Sequence, residues 1–210
     1  MDRISHDAPS PWVIGRCDGD TQTARRDLLR LPDDAVRGIR SSTEAAARIN
    51  ARTMRERLGG SVAGRKVVIL GDLLHSRVAR SNIWTLTAAG ADLWLCGPAT
   101  LVRGFEAWAG RGAAAGRRFH VTTNVDEALR DADVVMALRI QRERMAAGLL
   151  PSLREYAARY GLTAARLATA KPGALVMHPG PMNEGVEIAA DVAAGAQSVI
   201  TDQVTNGVAV

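Results

Sequence analysis

The clearest structural signal in the sequence is the stretch Lys66-Val-Val-Ile-Leu-Gly-Asp-Leu-Leu-His-Ser-Arg-Val-Ala-Arg-Ser81. Its apolar run from Val67 to Leu70 is typical of a parallel strand that is buried on both faces. Ser76 can cap a following helix, because a serine oxygen accepts hydrogen bonds from the free N–H groups of a first turn. The stretch therefore predicts a strand, a short turn and a helix, with Arg77 at the start of the helix.

Strand and helix patterns alternate along the rest of the chain. Further strands are predicted at residues 91–96, 119–122, 133–138 and 174–177. Helices are predicted at residues 41–58, 100–108, 124–130, 152–160 and 163–170, the second of them weakened by Gly104. This order predicts an α/β fold of three layers, a parallel sheet with helices on both faces in a single Rossmann-like domain. Residues 1–42 are poorly readable, and we expect an N-terminal arm with one helix around residues 21–31.

Composition limits the classes of function. The chain has 210 residues and a net charge of +5, with 27 basic and 22 acidic residues spread along it rather than in blocks. We therefore expect no nucleic acid and no membrane as partner, and no apolar window is long enough to span a bilayer. Cys17 and Cys96 lack metal or disulfide spacing, which fits a cytoplasmic protein. The sequence has neither a glycine-rich phosphate loop nor a cluster of metal ligands, so we expect no cofactor and no metal.

Polar side chains follow three of the predicted strands. Arg77 follows the first, Arg139 and Gln141 follow a later one, and His178 begins a Pro-Gly-Pro turn after another. Because the carboxyl ends of parallel strands share one edge of a sheet, these groups can converge on one crevice. Two arginines there suggest a ligand with two carboxylates, since each guanidinium can hold one carboxylate with two hydrogen bonds.

The residues alone leave other interpretations open. One or both arginines could instead pair with acids of the chain such as Asp72 or Glu143. His178 could act as a general acid or base, although a lone histidine before such a turn is more often structural. His75 lies beside the predicted crevice and could either support it or only fill space.

Four motifs in order resemble the second, aspartate-binding half of the aspartate carbamoyltransferase family. They start at Gly71, Leu138, His178 and Gln203 and read GDLLHSRVARSN, LRIQRER, HPGPMN and QVTNGV, within residues 55–210. The resemblance implies that Arg77 holds the α-carboxylate of L-aspartate and that Arg139 with Gln141 holds its side-chain carboxylate. It also implies that the Pro179-Gly180 backbone lies against the reacting amine and carbamoyl group.

The same resemblance implies a mobile loop and an assembly. Residues 142–156 would form a loop that closes over the substrates, with Arg142 in it and Glu143 helping to latch it. The family is built on trimers, so a homo-oligomer is expected. Its reaction converts carbamoyl phosphate and L-aspartate to N-carbamoyl-L-aspartate and phosphate in pyrimidine synthesis.

The sequence also departs from the family pattern. It has no Ser-Thr-Arg-Thr loop for carbamoyl phosphate, and the position of the family's His-Pro-Thr-Gln motif reads Thr43-Glu-Ala-Ala46. Glu184 stands where related sequences usually carry arginine. We therefore expect residues 43–210 to be the aspartate-binding domain, without a carbamoyl-phosphate domain and inactive alone unless that half is supplied. The alternatives are a non-catalytic protein that binds a dicarboxylate or a partner subunit, and a truncated gene product.

Overall fold

The fold is built around a sheet of five parallel strands. The computed structural model describes residues 42–109, 118–141, 143, 145, 148–150 and 152–208. The strands are β1 (Lys66–Leu70), β2 (Asp92–Cys96), β3 (Phe119–Thr122), β4 (Val134–Ala137) and β5 (Leu175–Met177). Their spatial order is β3-β2-β1-β4-β5. The chain adds β2 and β3 on one side of β1 and then returns to add β4 and β5 on the other side, so the direction of winding changes between β1 and β4. Such a change opens a crevice at the carboxyl ends of the two strands concerned.

Helices connect the strands. They are α1 (Ser42–Arg57), α2 (Arg77–Ala88), α3 (Ala99–Val102), α4 (Val125–Leu129), α5 (Leu153–Tyr160), α6 (Ala164–Leu167), α7 (Ala190–Ala193) and α8 (Ile200–Val208). Within the described ranges, no helix is long and apolar enough to cross a membrane.

Alternate residues of the strands face two separate apolar cores, as the three-layer prediction requires. Val67 and Ile69 pack on one side with Met54 of α1 and Leu86 of α2. Val68 packs on the other side, together with residues of α4, α6 and α7. Each large apolar side chain removed from water contributes about 1.5–3 kcal/mol, so the sheet is stabilised from both faces.

The local signals around β1 produce the predicted strand, turn and helix. The Ser76 side chain accepts a hydrogen bond from the Ala79 N–H at 3.1 Å, which caps α2. The helix ends before Gly90, which adopts a φ of +80°. Gly97 follows β2 and lies against the turn after β1, because a Cβ there would stand 2.5 Å from the Gly71 carbonyl oxygen. This close approach fixes the path of the chain at the edge that carries the crevice.

Three helix predictions need correction. The helix predicted over 100–108 is interrupted, since α3 ends at Val102 and Gly104 takes a φ of +92°. The helix predicted over 163–170 is only one turn, which Thr163 caps through a hydrogen bond from Arg166 N. The helix predicted over 124–130 is one residue shorter at each end, because Asn124 is the cap of α4 and the helix ends at Leu129. The predicted arm over 1–42, with its helix around 21–31, lies outside the described residues apart from Ser42.

An ion-pair cluster lies at the opposite, amino edge of the sheet. The buried Asp133 carboxylate accepts hydrogen bonds from Lys171 Nζ at 2.8 Å, from Lys66 N at 2.9 Å and from Arg65 at 3.2 Å. Burial opposes ionisation, but the hydrogen bonds from Lys171 and the Lys66 backbone outweigh it and hold the pKa of Asp133 below its ordinary value. The cluster ties the start of β1 to the starts of β4 and β5.

Candidate functional site

The structure brings the predicted site segments to one edge of the sheet. β1, β4 and β5 are neighbours, so the segments that begin at Gly71, Leu138 and His178 leave the sheet side by side. The first two flank the change of direction between β1 and β4. The convergence expected from a parallel sheet is therefore present at the level of the backbone.

Asp72 joins two of these segments. Its carboxylate is fully buried and lies 2.9 Å from His75 Nδ1. It also accepts the backbone N–H of His75 at 3.2 Å and the backbone N–H of Gln141 at 3.3 Å. The Gln141 side chain in turn donates to the His75 carbonyl at 3.4 Å. Asp72 thus fixes the segment after β4 against the turn that leads to Arg77.

The two predicted carboxylate-binding arginines differ in their surroundings. Arg77 is exposed, and its side chain forms no hydrogen bond or ion pair with any described residue. Arg139 lies 3.0 Å from the Glu143 carboxylate, and both side chains are partly exposed, at 35% and 51%. Of the ion pairs within the chain that the sequence left open, the one between Arg139 and Glu143 is therefore present. Pairing with Asp72 is wrong, since the described side-chain partner of Asp72 is His75.

His178 is buried completely, and both nitrogens of its ring face groups of the chain. Nδ1 accepts the Gly180 N–H at 3.0 Å, while Nε2 lies 3.4 Å from a carboxylate oxygen of Glu187. The same Glu187 oxygen accepts the Asn183 N–H at 2.7 Å. Histidine and glutamate together hold both ends of the turn, which favours the structural interpretation of His178 over acid–base chemistry.

The turn that follows His178 offers hydrogen-bond acceptors to a ligand and few donors. Pro179 and Pro181 have no N–H, and the N–H of Gly180 is already donated to His178. Gly180 has a φ of +64°, and its peptide bond to Pro181 is cis. The carbonyl oxygens of this turn are therefore the groups left for a ligand, which suits a ligand that donates N–H.

The predicted closing loop is shorter than expected. Tyr156 belongs to α5 and is buried, with its ring stacked on Tyr160 at 5.7 Å between centroids. Burial raises the pKa of Tyr156 and keeps its hydroxyl neutral. Ser152 caps this helix through a hydrogen bond from Glu155 N at 3.0 Å, so any loop ends before Leu153. Arg142 lies outside the described residues.

The sequence did not predict the anchoring roles of Asp72 and Glu187, nor that of Gln203, whose side-chain oxygen accepts the backbone N–H of His178 at 3.1 Å. Each one lies within or beside a motif that was recognised, but a hydrophobic pattern cannot tell a buried polar anchor from a solvated one. Glu184 is exposed. No group of three metal-ligating side chains occurs among the described residues.

The strand order defines a doubly wound α/β domain, a class of fold that binds ligands at its change of strand direction. The family model for the aspartate/ornithine carbamoyltransferase Asp/Orn binding domain matches residues 63–210. The chain therefore belongs to the aspartate/ornithine carbamoyltransferase family, through that domain.

Among sequence relatives the similarity is to the aspartate enzymes. The chain is 58% identical over 158 residues to the aspartate carbamoyltransferase catalytic subunit of Roseiflexus sp. (strain RS-1), a match covering 75% of this chain and 48% of that protein. The catalytic subunit from Moorella thermoacetica gives the same identity and coverage. The chain thus spans about half the length of the curated relatives it matches.

Solved structures of both branches share the fold. Aspartate transcarbamoylase from Trypanosoma cruzi in complex with N-(phosphonacetyl)-L-aspartic acid matches with a TM-score of 0.65 at 28% identity, covering 78% of this chain and 51% of that one. Ornithine carbamoyltransferase from Pyrococcus furiosus also matches with a TM-score of 0.65, at 27% identity over 78% and 52% of the two chains. The expected architecture and family are confirmed.

Proposed function

We propose that this domain binds L-aspartate as the amino-acid half of a carbamoyltransferase. The observation that supports this most directly is that the segments carrying Arg77, Arg139 and Gln141 leave one edge of the sheet. Asp72 joins these segments through the backbone N–H groups of His75 and Gln141. Arg77 receives the α-carboxylate, and Arg139 with Gln141 receives the side-chain carboxylate. Two guanidinium groups and one amide match the charge and the donor requirement of a dicarboxylate.

The ion pair between Arg139 and Glu143 does not prevent this role. An exposed pair of this kind contributes about 0–1 kcal/mol, because water screens it and two flexible side chains must be ordered. An incoming carboxylate can therefore compete for the guanidinium. Glu143 then serves as the resting partner of Arg139 and orients it before the ligand arrives. This assigns the predicted latch residue Glu143 to the approach side of the site.

The turn after His178 completes the site on the side of the amine. Carbamoyl transfer requires the amine of aspartate to lie at the carbonyl carbon of the second substrate, and such positioning can lower the barrier by about 7–11 kcal/mol in favourable cases. The carbonyl oxygens of Pro179 and Gly180 can accept hydrogen bonds from that amine. Neither ring nitrogen of His178 is needed as a base in this arrangement, and His75 acts through Asp72 rather than on the ligand.

The second substrate needs groups that this chain does not offer in the family's form. Departing phosphate must be neutralised by preorganised donors, and the Ser-Thr-Arg-Thr and His-Pro-Thr-Gln sequences of the family are missing from the 210 residues. We propose that the chain alone binds aspartate without transferring the carbamoyl group. Formation of N-carbamoyl-L-aspartate requires a carbamoyl-phosphate half from elsewhere, within a homo-oligomer. A purely dicarboxylate-binding role is the second candidate, favoured by the absence of these two sequences from the 210 residues.

Calorimetric titration with L-aspartate, beside an assay for carbamoyl aspartate, tests this proposal. The Arg139→Ala variant should lose at least about 100-fold in aspartate affinity, the scale expected for removing a charge-assisted, two-point contact of about 3 kcal/mol. Arg159→Ala is the matched control, because Arg159 also forms an (i, i+4) pair, with Glu155 at 3.3 Å, but lies on helix α5. Equal affinities in Arg139→Ala and the wild type would overturn the assigned role.

The bisubstrate mimic N-phosphonacetyl-L-aspartate tests whether this chain itself holds a phosphate site. If the chain is only an aspartate half, the mimic should bind no more tightly than aspartate and no product should form. Much tighter binding of the mimic together with product formation would show that a phosphate site exists in this chain. That result would overturn the proposed dependence on another polypeptide.

A further inference from the structure

Three buried side-chain amides form a continuous series of hydrogen bonds behind the candidate site. Gln203 of α8 accepts the backbone N–H of His178 at 3.1 Å and donates to Asn50 of α1 at 2.8 Å. Asn50 donates to Asn82 of α2 at 3.3 Å, and Asn82 donates to the Val78 carbonyl at 2.9 Å. We call Gln203, Asn50 and Asn82 the amide relay.

The relay has one consistent polarity. Its ends are a backbone N–H, which can only donate, and a backbone carbonyl, which can only accept. Asn82 must therefore turn its NH2 group to Val78, which leaves its oxygen for Asn50. By the same logic Asn50 turns its oxygen to Gln203, and Gln203 turns its oxygen to His178. Reversing any single amide would place two donors or two acceptors against each other.

The relay joins the two sides of the proposed aspartate site. One end holds the first residue of the turn that presents the Pro179 and Gly180 carbonyls. The other end holds Val78, which directly follows Arg77 in the first turn of α2. Between them the Asn50 amide passes over β4 and contacts Met136 Sδ at 4.0 Å. The series therefore crosses the central part of the sheet from the β5 side to the β1 side.

All three amides are at most 5% exposed, in a layer that is mainly apolar. Apolar residues could fill this space without needing hydrogen-bond partners, whereas a buried amide that loses its partner costs about 1–3 kcal/mol. Such a network defines one arrangement of the elements that it connects, because each group depends on the next. Here the elements are α1, α2, α8 and the turn after β5.

We propose that Gln203 is a positioning residue for the aspartate site, which sets the distance between the Pro179-Gly180 turn and Arg77 through the amide relay. The inference rests on the proposed aspartate binding for its functional consequence. The relay itself is a property of the unliganded protein. Gln203 does not touch the ligand, and its effect passes through His178 on one side and through Asn50 and Asn82 on the other.

The test combines amide NMR spectra of the unliganded protein with aspartate affinities for three variants. Gln203→Met removes both hydrogen bonds at nearly constant volume, and Asn82→Ala cuts the far end of the relay. Asn206→Ala is the control, because Asn206 joins α8 to α1 through Thr53 Oγ1 at 2.9 Å without contacting the relay. Thermal unfolding of each variant gives the loss of stability against which the affinities are compared.

We expect Gln203→Met to shift the side-chain amide resonances of Asn82, and Asn82→Ala to shift the amide resonance of His178. We also expect Gln203→Met to weaken aspartate binding at least about tenfold, or about 1.4 kcal/mol, with less than a twofold effect in Asn206→Ala. The proposed relay would be overturned if these resonances of Asn82 and His178 shifted no more than they do in Asn206→Ala. Unchanged aspartate affinity in Gln203→Met would overturn the positioning role.

The NMR spectra and the affinity measurements also separate this inference from the proposed function. If the wild-type protein does not bind aspartate, the proposed function fails, and the far-end resonance shifts still decide whether the relay transmits a change. If Gln203→Met does not fold, Asn82→Ala alone tests the relay from its other end.

Discussion

Replacement of Asp72 offers a sharp test of how the site is held together. The carboxylate accepts three hydrogen bonds, from the backbone N–H and ring of His75 and from the backbone N–H of Gln141. Hydrogen bonds to a charged group contribute about 1.5–3 kcal/mol each, so three bonds at the lower end of that range total about 4.5 kcal/mol. Removing a buried charge recovers part of this amount, because its desolvation no longer opposes folding. We expect Asp72→Ala to lower the free energy of unfolding by about 2–3 kcal/mol.

The Asp72→Asn variant separates the loss of stability from the loss of the link between the two site segments. One amide oxygen can still accept from His75, but the NH2 group then faces the N–H of Gln141, which is also a donor. Stability should fall by only about 1 kcal/mol, whereas the link between the two site segments is broken as fully as in Asp72→Ala. Aspartate affinity should therefore fall to a similar extent in both variants, while their stabilities differ.

Urea unfolding followed by tryptophan fluorescence, together with aspartate titration, measures both quantities. His75→Ala is the matched control, since it removes the ring and leaves both backbone donors to Asp72 in place. Wild-type aspartate affinity in Asp72→Asn would refute the role of Asp72 as the link. Equal losses of stability in Asp72→Asn and Asp72→Ala would refute the expectation that the asparagine oxygen still accepts hydrogen bonds from His75.

Three further outcomes are expected. Because the folded-state pKa of Asp133 is lowered, its stabilisation is full above the ordinary aspartate pKa of about 3.9 and is lost as the pH falls through the folded value. Asp133→Asn should thus show a smaller drop in unfolding free energy between pH 7 and pH 3 than the wild type does in urea titrations. Gly97→Ala should lose about 1–3 kcal/mol because of the contact with Gly71, and an unchanged thermal midpoint would contradict that packing. Burial raises the pKa of the Cys96 thiol to about 12, so in a Cys17→Ser background a disulfide reagent should react at least about 100-fold more slowly with folded than with urea-unfolded protein; similar rates would contradict its burial.

The sequence allowed most of the sheet to be predicted, because local signals there agree with the tertiary structure. The apolar run at Val67, the cap at Ser76 and the glycine at Gly90 each act within a few residues, and the structure keeps all three. The signals around Gly104 were weaker. A helix was predicted across this glycine, but its positive φ ends the turn instead. The helix propensity of glycine is only about 1 kcal/mol less favourable than that of alanine, a difference that neighbouring contacts can override.

The site was predictable to the level of segments and not of individual contacts. Parallel strands must deliver Arg77 and Arg139 to the same edge, so their approximate convergence follows from the strand order. Whether Arg139 pairs with Glu143 or Asp72 depends on side-chain geometry that no spacing rule contains. The polar partners of His178 were also out of reach, since Glu187 and Gln203 come from different elements and meet it only in the folded chain.

The contact between α1 and α8 has a consequence for biosynthesis. Asn50 and Gln203 are 153 positions apart, as are Thr53 and Asn206. At a synthesis rate of about 5–20 residues per second, α1 waits roughly 8–30 s on the ribosome before its partner helix is made. The turn at His178 is translated only shortly before Gln203, so it is among the last parts of the domain to gain support. A nascent chain with a formed sheet therefore still lacks a finished site.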